Sequence, residues 1–108
     1  MFCMNIKFDK KYLSELYYDG KCSDKKHRFQ PQVVKKYQLC IETLESVPGI
    51  ESLYKYHSLN YEVLKGDKQG ISSIRVNQQY RIEFAASQEE NETVITVCNI
   101  LELSNHYK

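Results

Sequence analysis

The stretch that decides the fold runs from Leu64 to Phe84 and reads LKGDKQGISSIRVNQQYRIEF. Apolar and polar side chains alternate in Ile71–Val76 and again in Tyr80–Ala86, which is the period of two typical of β-strands. A glycine-containing turn, Lys65–Gly70, precedes the first run, and three polar residues separate the two runs. The stretch therefore predicts a pair of adjacent antiparallel strands.

The length of the loop between these strands determines which residues face one another. We expect a three-residue loop, Asn77–Gln79, with a left-handed residue of the kind that asparagine tolerates. Ile74 then lies opposite Ile82. One residue further along, Arg75 lies opposite Arg81. A two-residue loop would instead mix apolar and charged residues on each face, so register favours the longer loop and one apolar face formed by Ile74, Val76, Tyr80, Ile82 and Phe84.

Two arginines that face each other across a hairpin require an explanation, because like charges in opposed positions are unfavourable. An anion between them would remove that cost, and the planar guanidinium group is well suited to bind phosphate. Alternatively, Glu62 or Glu83 neutralises the arginines on a face that is simply solvated. The residues alone leave both explanations open.

Two helices are predicted before the hairpin. The first begins after Asp9, a residue type that often caps a helix, and ends at Gly20. The second begins at Pro31 and ends before Pro48, because proline suits the first helical position and interrupts a helix elsewhere. Apolar residues recur at three- and four-residue spacing: Tyr12, Leu13, Leu16 and Tyr17 in the first helix, and Val33, Val34, Tyr37, Cys40, Ile41 and Leu44 in the second.

Further strands flank these elements. Strands are predicted at Met1–Phe8 and Tyr61–Leu64, and Thr93–Leu101 is apolar on both faces, which is typical of an interior strand. The polar residues Ser87–Glu92 predict a hairpin loop before that last strand. The chain, residues 1–108, is thus predicted to be a single α+β domain with two N-terminal helices packed on a small, mostly antiparallel β-sheet.

Composition excludes several classes of protein. Hydrophobic residues make up 42% of the chain and charged residues 27%, so the sequence can bury a core and is not disordered as a whole. The four cysteines form no Cys-x-x-Cys pair, and we expect reduced thiols, no metal site and no cofactor. Because no apolar segment approaches about 18 residues, we expect a cytoplasmic protein without membrane association.

The net charge is only +1, but the charges are segregated along the chain. Residues 21–36 carry +5, from six cations and Asp24, whereas residues 82–103 carry −5 from glutamates alone. A protein polarised in this way can present a basic groove despite a balanced total.

Two segments of the chain resemble a known toxin family. The first is Leu64-Lys65-Gly66-Asp67 with the following Gly70, Ser73–Asn77 and Gln79–Ile82, and the second is the closing Glu102–Lys108. Both closely resemble the HigB-type toxins of the RelE/ParE superfamily, the plasmid maintenance system killer protein group. The resemblance covers most of the chain, and the first segment is its most specific part.

The resemblance implies a type II toxin with the RelE/ParE-like fold that cleaves mRNA in the ribosomal A site and so inhibits translation. Family members are endoribonucleases that use no metal and attack the neighbouring phosphate with the ribose 2′-hydroxyl. The resemblance also implies a cognate HigA-like helix-turn-helix antitoxin that holds the toxin inactive, with contact to operator DNA only through that antitoxin.

Position by position, the resemblance implies three catalytic residues: Lys65 in the turn, Arg81 in the sheet and His106 near the end of the chain. The reaction needs a proton acceptor, a proton donor and cations that stabilise the developing phosphorane charge. We expect Arg75 to bind phosphate and Tyr80 to stack on a base. The full set of expected substrate contacts is Glu62, Lys68, Arg75, Tyr80, Tyr107 and Lys108.

Two departures from the family pattern affect this site. Many relatives carry histidine where this chain has Glu62, and their common terminal Asp-Tyr-His is replaced here by Ser104-Asn105-His106. Glu62 is then either the base of the reaction or a partner that quenches Arg81. Two other functions remain open: non-enzymatic inhibition of DNA gyrase, as in ParE-like toxins, and an inactive toxin homologue that only binds an antitoxin.

Overall fold

The computed structural model describes residues 4–90 and 94–105. Its strands are β1 Asn5–Phe8, β2 Glu62–Val63, β3 Ser72–Arg75, β4 Tyr80–Glu90 and β5 Val94–Asn105. They form one sheet in the order β1-β5-β4-β3-β2. Strand β1 runs parallel to β5, and the other neighbouring pairs are antiparallel.

Two helices, α1 at Lys11–Asp19 and α2 at Pro31–Ser46, pack on one face of the sheet. The Tyr37 hydroxyl donates a 2.7 Å hydrogen bond to the backbone carbonyl of Leu13, which ties α2 to α1. The predicted α+β architecture is therefore confirmed. From the sheet, the shared core takes Ile74, Val76, Ile82, Phe84, Cys98, Ile100 and Leu103. Short 3-10 turns lie at Lys25–His27, Ile50–Lys55, His57–Leu59 and Gly66–Lys68.

The helix boundaries follow the local signals with one exception. Helix α2 begins at Pro31, and all six residues predicted for its apolar face are buried. Helix α1 ends at Gly20, whose φ of +75° lies in the left-handed region. The prediction that Asp9 caps α1 is wrong, because Lys10 occupies the cap position. The backbone N–H of Asp9 instead donates to the carbonyl of Ile100 at 2.8 Å, which keeps this residue with the sheet.

The register of the β3–β4 hairpin is the predicted one. Ile74 pairs with Ile82, and Arg75 pairs with Arg81. The expected left-handed loop residue is wrong, since none of the residues from 77 to 79 has a positive φ. The Asn77 side chain closes the turn instead: its Oδ1 accepts 2.8 Å hydrogen bonds from the backbone N–H groups of Gln79 and Tyr80.

Strands β4 and β5 form a longer hairpin than expected. The loop predicted at Ser87–Glu92 is wrong for residues 87–90, which continue β4 and pair with residues 94–97 of β5. Side chains from Ala86 to Gln88 are exposed, so no apolar alternation marks the strand there, and backbone pairing alone extends it. Strand β5 lies between β1 and β4, which confirms its predicted interior position.

The buried thiols of Cys40 and Cys98 are expected to resist modification in the folded protein. Burial raises the pKa of each thiol to about 11, so little reactive thiolate forms at neutral pH. DTNB should modify both only after unfolding, whereas the half-buried Cys22 reacts in the native state. Because the folded-state pKa lies above the unfolded value of 9.0, the associated stability is present below that pH and is lost as pH rises toward about 11.

Modification of Cys22 must be distinguished from modification of the two buried thiols. A Cys22→Ser variant identifies which thiol accounts for modification of the native protein. Denaturant titrations across the alkaline range measure the loss of stability with pH. Rapid modification of Cys40 or Cys98 in the native protein would show that these thiols are not sealed in the core.

Candidate active site on the polar sheet face

The sheet face opposite the helices carries rows of charged and polar residues. Arg81 of β4 lies between Arg75 of β3 and Ser104 of β5. The neighbouring row contains Ser73, Glu83 and Glu102, and Glu62 of β2 pairs with Ser73. The register therefore confirms that both arginines share one face. We call this surface the polar face: Glu62, Ser73, Arg75, Arg81, Glu83, Glu102 and Ser104.

Arg81 anchors the polar face, although only 8% of the residue is exposed. Its Nε donates to Ser73 Oγ at 3.0 Å, and its Nη2 donates to the backbone carbonyl of Asn60 at 2.8 Å. The same Nη2 lies 3.3 Å from Glu62 Oε2. Arg81 thus joins β4 to β3, to β2 and to the segment that precedes β2. Its guanidinium group is held in a fixed orientation.

Arg75 extends away from Arg81. Its Nε donates to the backbone carbonyl of Asn77 at 3.2 Å, whereas Arg81 bonds back toward Ser73. The facing arginines therefore lean in opposite directions along β3, which reduces their repulsion without an anion between them. Among residues 4–90 and 94–105, no carboxylate forms an ion pair with Arg75. Its exposed guanidinium is available to an anion.

The glutamates of the neighbouring row are paired with lysines. Lys68 Nζ lies 2.7 Å from Glu83 Oε2, and Lys10 Nζ lies 3.3 Å from Glu102 Oε1. Because Glu83 and Glu102 face each other across β4 and β5, each lysine offsets part of their repulsion. The hydrogen bond with Glu83 raises the pKa of Lys68. Of the two glutamates considered as neutralising partners of the arginines, Glu62 therefore pairs with Arg81 and Glu83 with a lysine.

The other predicted site residues differ in position. Lys65 is exposed at the start of the Gly66–Lys68 turn, and its ammonium group has no hydrogen-bond or ion-pair partner within the described part of the chain. Tyr80 is half-buried against the core, and its ring meets Phe29 edge-on with centroids 5.3 Å apart. Tyr80 therefore packs on the opposite side of the sheet from Arg81. The remaining predicted residues, His106, Tyr107 and Lys108, lie outside the described residues.

Two partners of Arg81 were not predicted from the sequence. Ser73 is polar but only 1% exposed, and it accepts the hydrogen bond from Arg81 Nε. The available signal in the sequence was that Ser73 lies two residues before Arg75, so that strand alternation places both on the same face. Asn60 contributes its backbone carbonyl, and no side-chain pattern identifies such a partner.

Metal-binding and membrane-spanning features have no counterpart in the described structure. Residues 4–90 and 94–105 hold no group of three or more histidine, cysteine, aspartate or glutamate side chains placed to bind a metal ion. No helix within those ranges is long and apolar enough to cross a membrane. The polar face offers guanidinium and carboxylate groups, and Lys68 and Lys10 add ammonium groups beside it; such groups suit proton transfer and phosphate binding.

Known proteins match this chain in sequence. The family model described as RelE-like toxin of type II toxin-antitoxin system HigB matches residues 6–99. Toxin HigB-1 from Vibrio cholerae serotype O1 is 33% identical over 82 residues, which cover 75% of this chain and 82% of that toxin. The chain therefore belongs to the HigB-like toxins.

Solved structures match the fold. The YoeB/ParE toxin from Agrobacterium tumefaciens aligns with a TM-score of 0.59 and 18% identity, covering 96% of this chain and 100% of that one. A chain of the YoeB-YefM complex from Staphylococcus aureus aligns with a TM-score of 0.52 and 20% identity, covering 96% and 98%. At these identities the likeness establishes the fold alone.

Family membership defines the function. The protein is the toxin of a type II toxin–antitoxin system, with the ribosome-dependent mRNA endoribonuclease activity of HigB-like toxins, and it inhibits translation. The match to the HigB family does not favour gyrase inhibition or a purely antitoxin-binding role.

Proposed function

We propose that the polar face cleaves mRNA without a metal ion, by attack of a ribose 2′-hydroxyl on the adjacent phosphate. The new 2′-oxygen–phosphorus bond replaces the bond to the 5′-oxygen of the next nucleotide and leaves a cyclic phosphate. The attacking hydroxyl loses a proton, and the departing oxygen gains one. Without a metal, side chains must perform both transfers and stabilise the charge on phosphorus.

The contact between Glu62 and Arg81 is the observation that carries this proposal. The Glu62 side chain is 50% exposed, whereas the Arg81 side chain is 9% exposed. A buried guanidinium therefore holds an accessible carboxylate beside the β3–β4 hairpin. We assign Glu62 as the proton acceptor, because its Oε1 has no hydrogen-bond partner among the described residues and can reach a substrate hydroxyl. This role replaces that of a purely quenching partner.

Three cations complete the proposed chemistry. Arg81 orients Glu62 and places positive charge beside the reacting phosphate, while Lys65 and Arg75 neutralise phosphate oxygens. His106 is proposed as the proton donor to the leaving oxygen, on the basis of the family resemblance. Lys68 and Tyr80 support the site indirectly, since one binds Glu83 and the other packs against Phe29. Tyr107 and Lys108 remain proposed substrate contacts.

The proposal includes the partners of the toxin. The solved YoeB-YefM complex is a toxin–antitoxin complex of this fold. By analogy, a HigA-like helix-turn-helix antitoxin binds this chain and is its route to operator DNA. The substrate is mRNA in the ribosomal A site, which places the protein in the cytoplasm. Residues 1–108 act as one toxin domain.

Lys65→Ala is expected to relieve growth arrest and remove ribosome-dependent cleavage without unfolding the protein. The ammonium group is exposed and has no partner in the described structure, so its loss leaves the packing intact. Primer extension on mRNA after induction should show new ends with the wild-type protein and few or none with the variant. Lys55→Ala, which removes another exposed lysine, is the matched control.

Two results would contradict these expectations. If the Lys65→Ala protein remains folded and produces the wild-type pattern of mRNA ends, Lys65 takes no part in catalysis. If the wild-type protein arrests growth without new mRNA ends and inhibits supercoiling, the nuclease proposal fails in favour of gyrase inhibition.

A further inference from the structure

The basic segment 21–36 presents a concentration of positive charge at the surface of the folded chain. Its six cations are all exposed: Lys21, Lys25, Lys26, Arg28, Lys35 and Lys36. We call this set the cationic strip. Within residues 4–90 and 94–105, none of its members forms an ion pair.

The one carboxylate in the segment is already engaged. Asp24 Oδ1 accepts a 2.9 Å hydrogen bond from the backbone N–H of Lys26, and its Oδ2 lies 2.8 Å from His27 Nδ1. The hydrogen bonds from Lys26 and His27 lower the pKa of Asp24. The carboxylate therefore caps its own 3-10 turn and pairs with His27.

The fold brings the cationic strip to the end of the sheet that carries Arg75. A surface pocket of about 180 Å³ is lined by Lys36 of α2 and Arg75 of β3, by the hydroxyl-bearing Thr43 and Ser58, and by Leu39, Cys40, Leu59 and Val76. The polar face and the strip thus meet at this pocket.

Aromatic contacts attach the loop of the strip to the same end of the sheet. Phe29 packs edge-on against Tyr80, at the start of β4. The His27 ring stacks on Tyr12 with centroids 3.7 Å apart, and the Tyr12 hydroxyl accepts a hydrogen bond from the backbone N–H of Leu103 in β5. The loop is therefore fixed beside the beginning of β4 and the last residues of β5.

From this arrangement we propose that the cationic strip binds RNA backbone phosphates outside the bond that is cleaved, continuing the path of the strand beyond Arg75. The inference rests on the proposed function for the identity of the strand, and it adds a second contact region to that site. Five of the six cations are lysines, a residue depleted at protein interfaces but effective at phosphates. The loop from 21 to 30 exposes no large apolar side chain that would anchor a protein partner.

The test measures binding of a 2′-O-methyl oligoribonucleotide, which cannot be cleaved because its 2′-oxygen is blocked. Fluorescence anisotropy over a series of KCl concentrations gives the salt dependence of Kd for two double variants. Lys35→Gln/Lys36→Gln should lower the slope of log Kd against log salt by about 1.4, which is two contacts at about 0.7 each for a single strand. It should weaken binding by the same factor for oligonucleotides of different sequence. In ribosome-dependent cleavage, KM should rise while kcat stays unchanged.

Lys11→Gln/Lys55→Gln is the matched control, since it removes the same charge from exposed residues outside the strip. The proposal is overturned if both double variants keep the wild-type slope, or if wild-type binding shows no salt dependence. Tighter binding of polyglutamate of equal charge would assign the strip to an acidic protein and also overturn it. Salt-dependent binding through the strip without cleavage by the wild-type protein would refute the proposed chemistry and support the strip.

Discussion

Arg81→Ala is expected to abolish growth arrest, with a fall in the cleavage rate of about a hundred- to a thousand-fold per folded molecule. That magnitude is typical when one preorganised donor is removed from a site where negative charge develops. The structure adds a second reason, because Arg81 Nη2 holds the Glu62 carboxylate at 3.3 Å. Single-turnover cleavage on programmed ribosomes measures the rate directly.

The same substitution should also lower stability, and the two effects must be separated. Loss of the guanidinium leaves the buried Ser73 hydroxyl and the Asn60 carbonyl without their donors, at a cost of about 1–3 kcal/mol. Urea titrations measure that cost and the folded fraction at the assay temperature. A rate that falls only in proportion to the folded fraction would identify Arg81 as a purely structural residue.

Two further variants define what Arg81 contributes. Arg81→Lys keeps the charge but cannot bond Ser73, Asn60 and Glu62 in one planar arrangement, so it should restore little activity. Glu62→Gln keeps the shape of the partner but removes its basicity, and it should lower kcat without lowering stability comparably. Wild-type kcat in Glu62→Gln would exclude Glu62 as the base.

Phe84→Ala is expected to destabilise the fold by about 3–5 kcal/mol, which is the usual cost of truncating a buried aromatic residue. Phe84 is 0% exposed, lies opposite Ile100 in β5 and packs against Tyr61 with ring centroids 6.3 Å apart. Such a loss is a large share of the roughly 5–15 kcal/mol that stabilises a typical domain. The midpoint and slope of urea unfolding measure it.

Matched variants make this result specific to the core. Phe84→Leu retains most of the buried volume and should cost less than the alanine variant. Val63→Ala, at a residue 56% exposed on β2, should change stability by no more than about 0.5 kcal/mol. If Phe84→Ala unfolded at the wild-type urea concentration, the core assigned to the hairpin would be wrong.

Sequence patterns predicted the parts of the fold that depend on neighbours along the chain. The period of two in Ile71–Val76, the three- and four-residue spacing after Pro31 and the loop at Asn77–Gln79 located a hairpin and a helix correctly. The extent of the β4–β5 hairpin was not predictable in this way. Residues 87–90 belong to a strand because backbone groups of β5 pair with them, and that partner is supplied by the fold.

For the site, the sequence by itself determined which residues share a face, because alternation and loop length specify register without any distant contact. It thereby placed Arg75 opposite Arg81, and it left open whether Glu62 is the base of the reaction or a partner that quenches Arg81. Only the tertiary structure decided where the two guanidinium groups go. The Asn60 carbonyl and Glu62, which belong to another segment, orient Arg81 toward β2, whereas Arg75 donates to the Asn77 carbonyl of its own hairpin turn. Hydrogen bonding requires a partner at a defined distance and angle, and for Arg81 that partner is positioned by the folded chain.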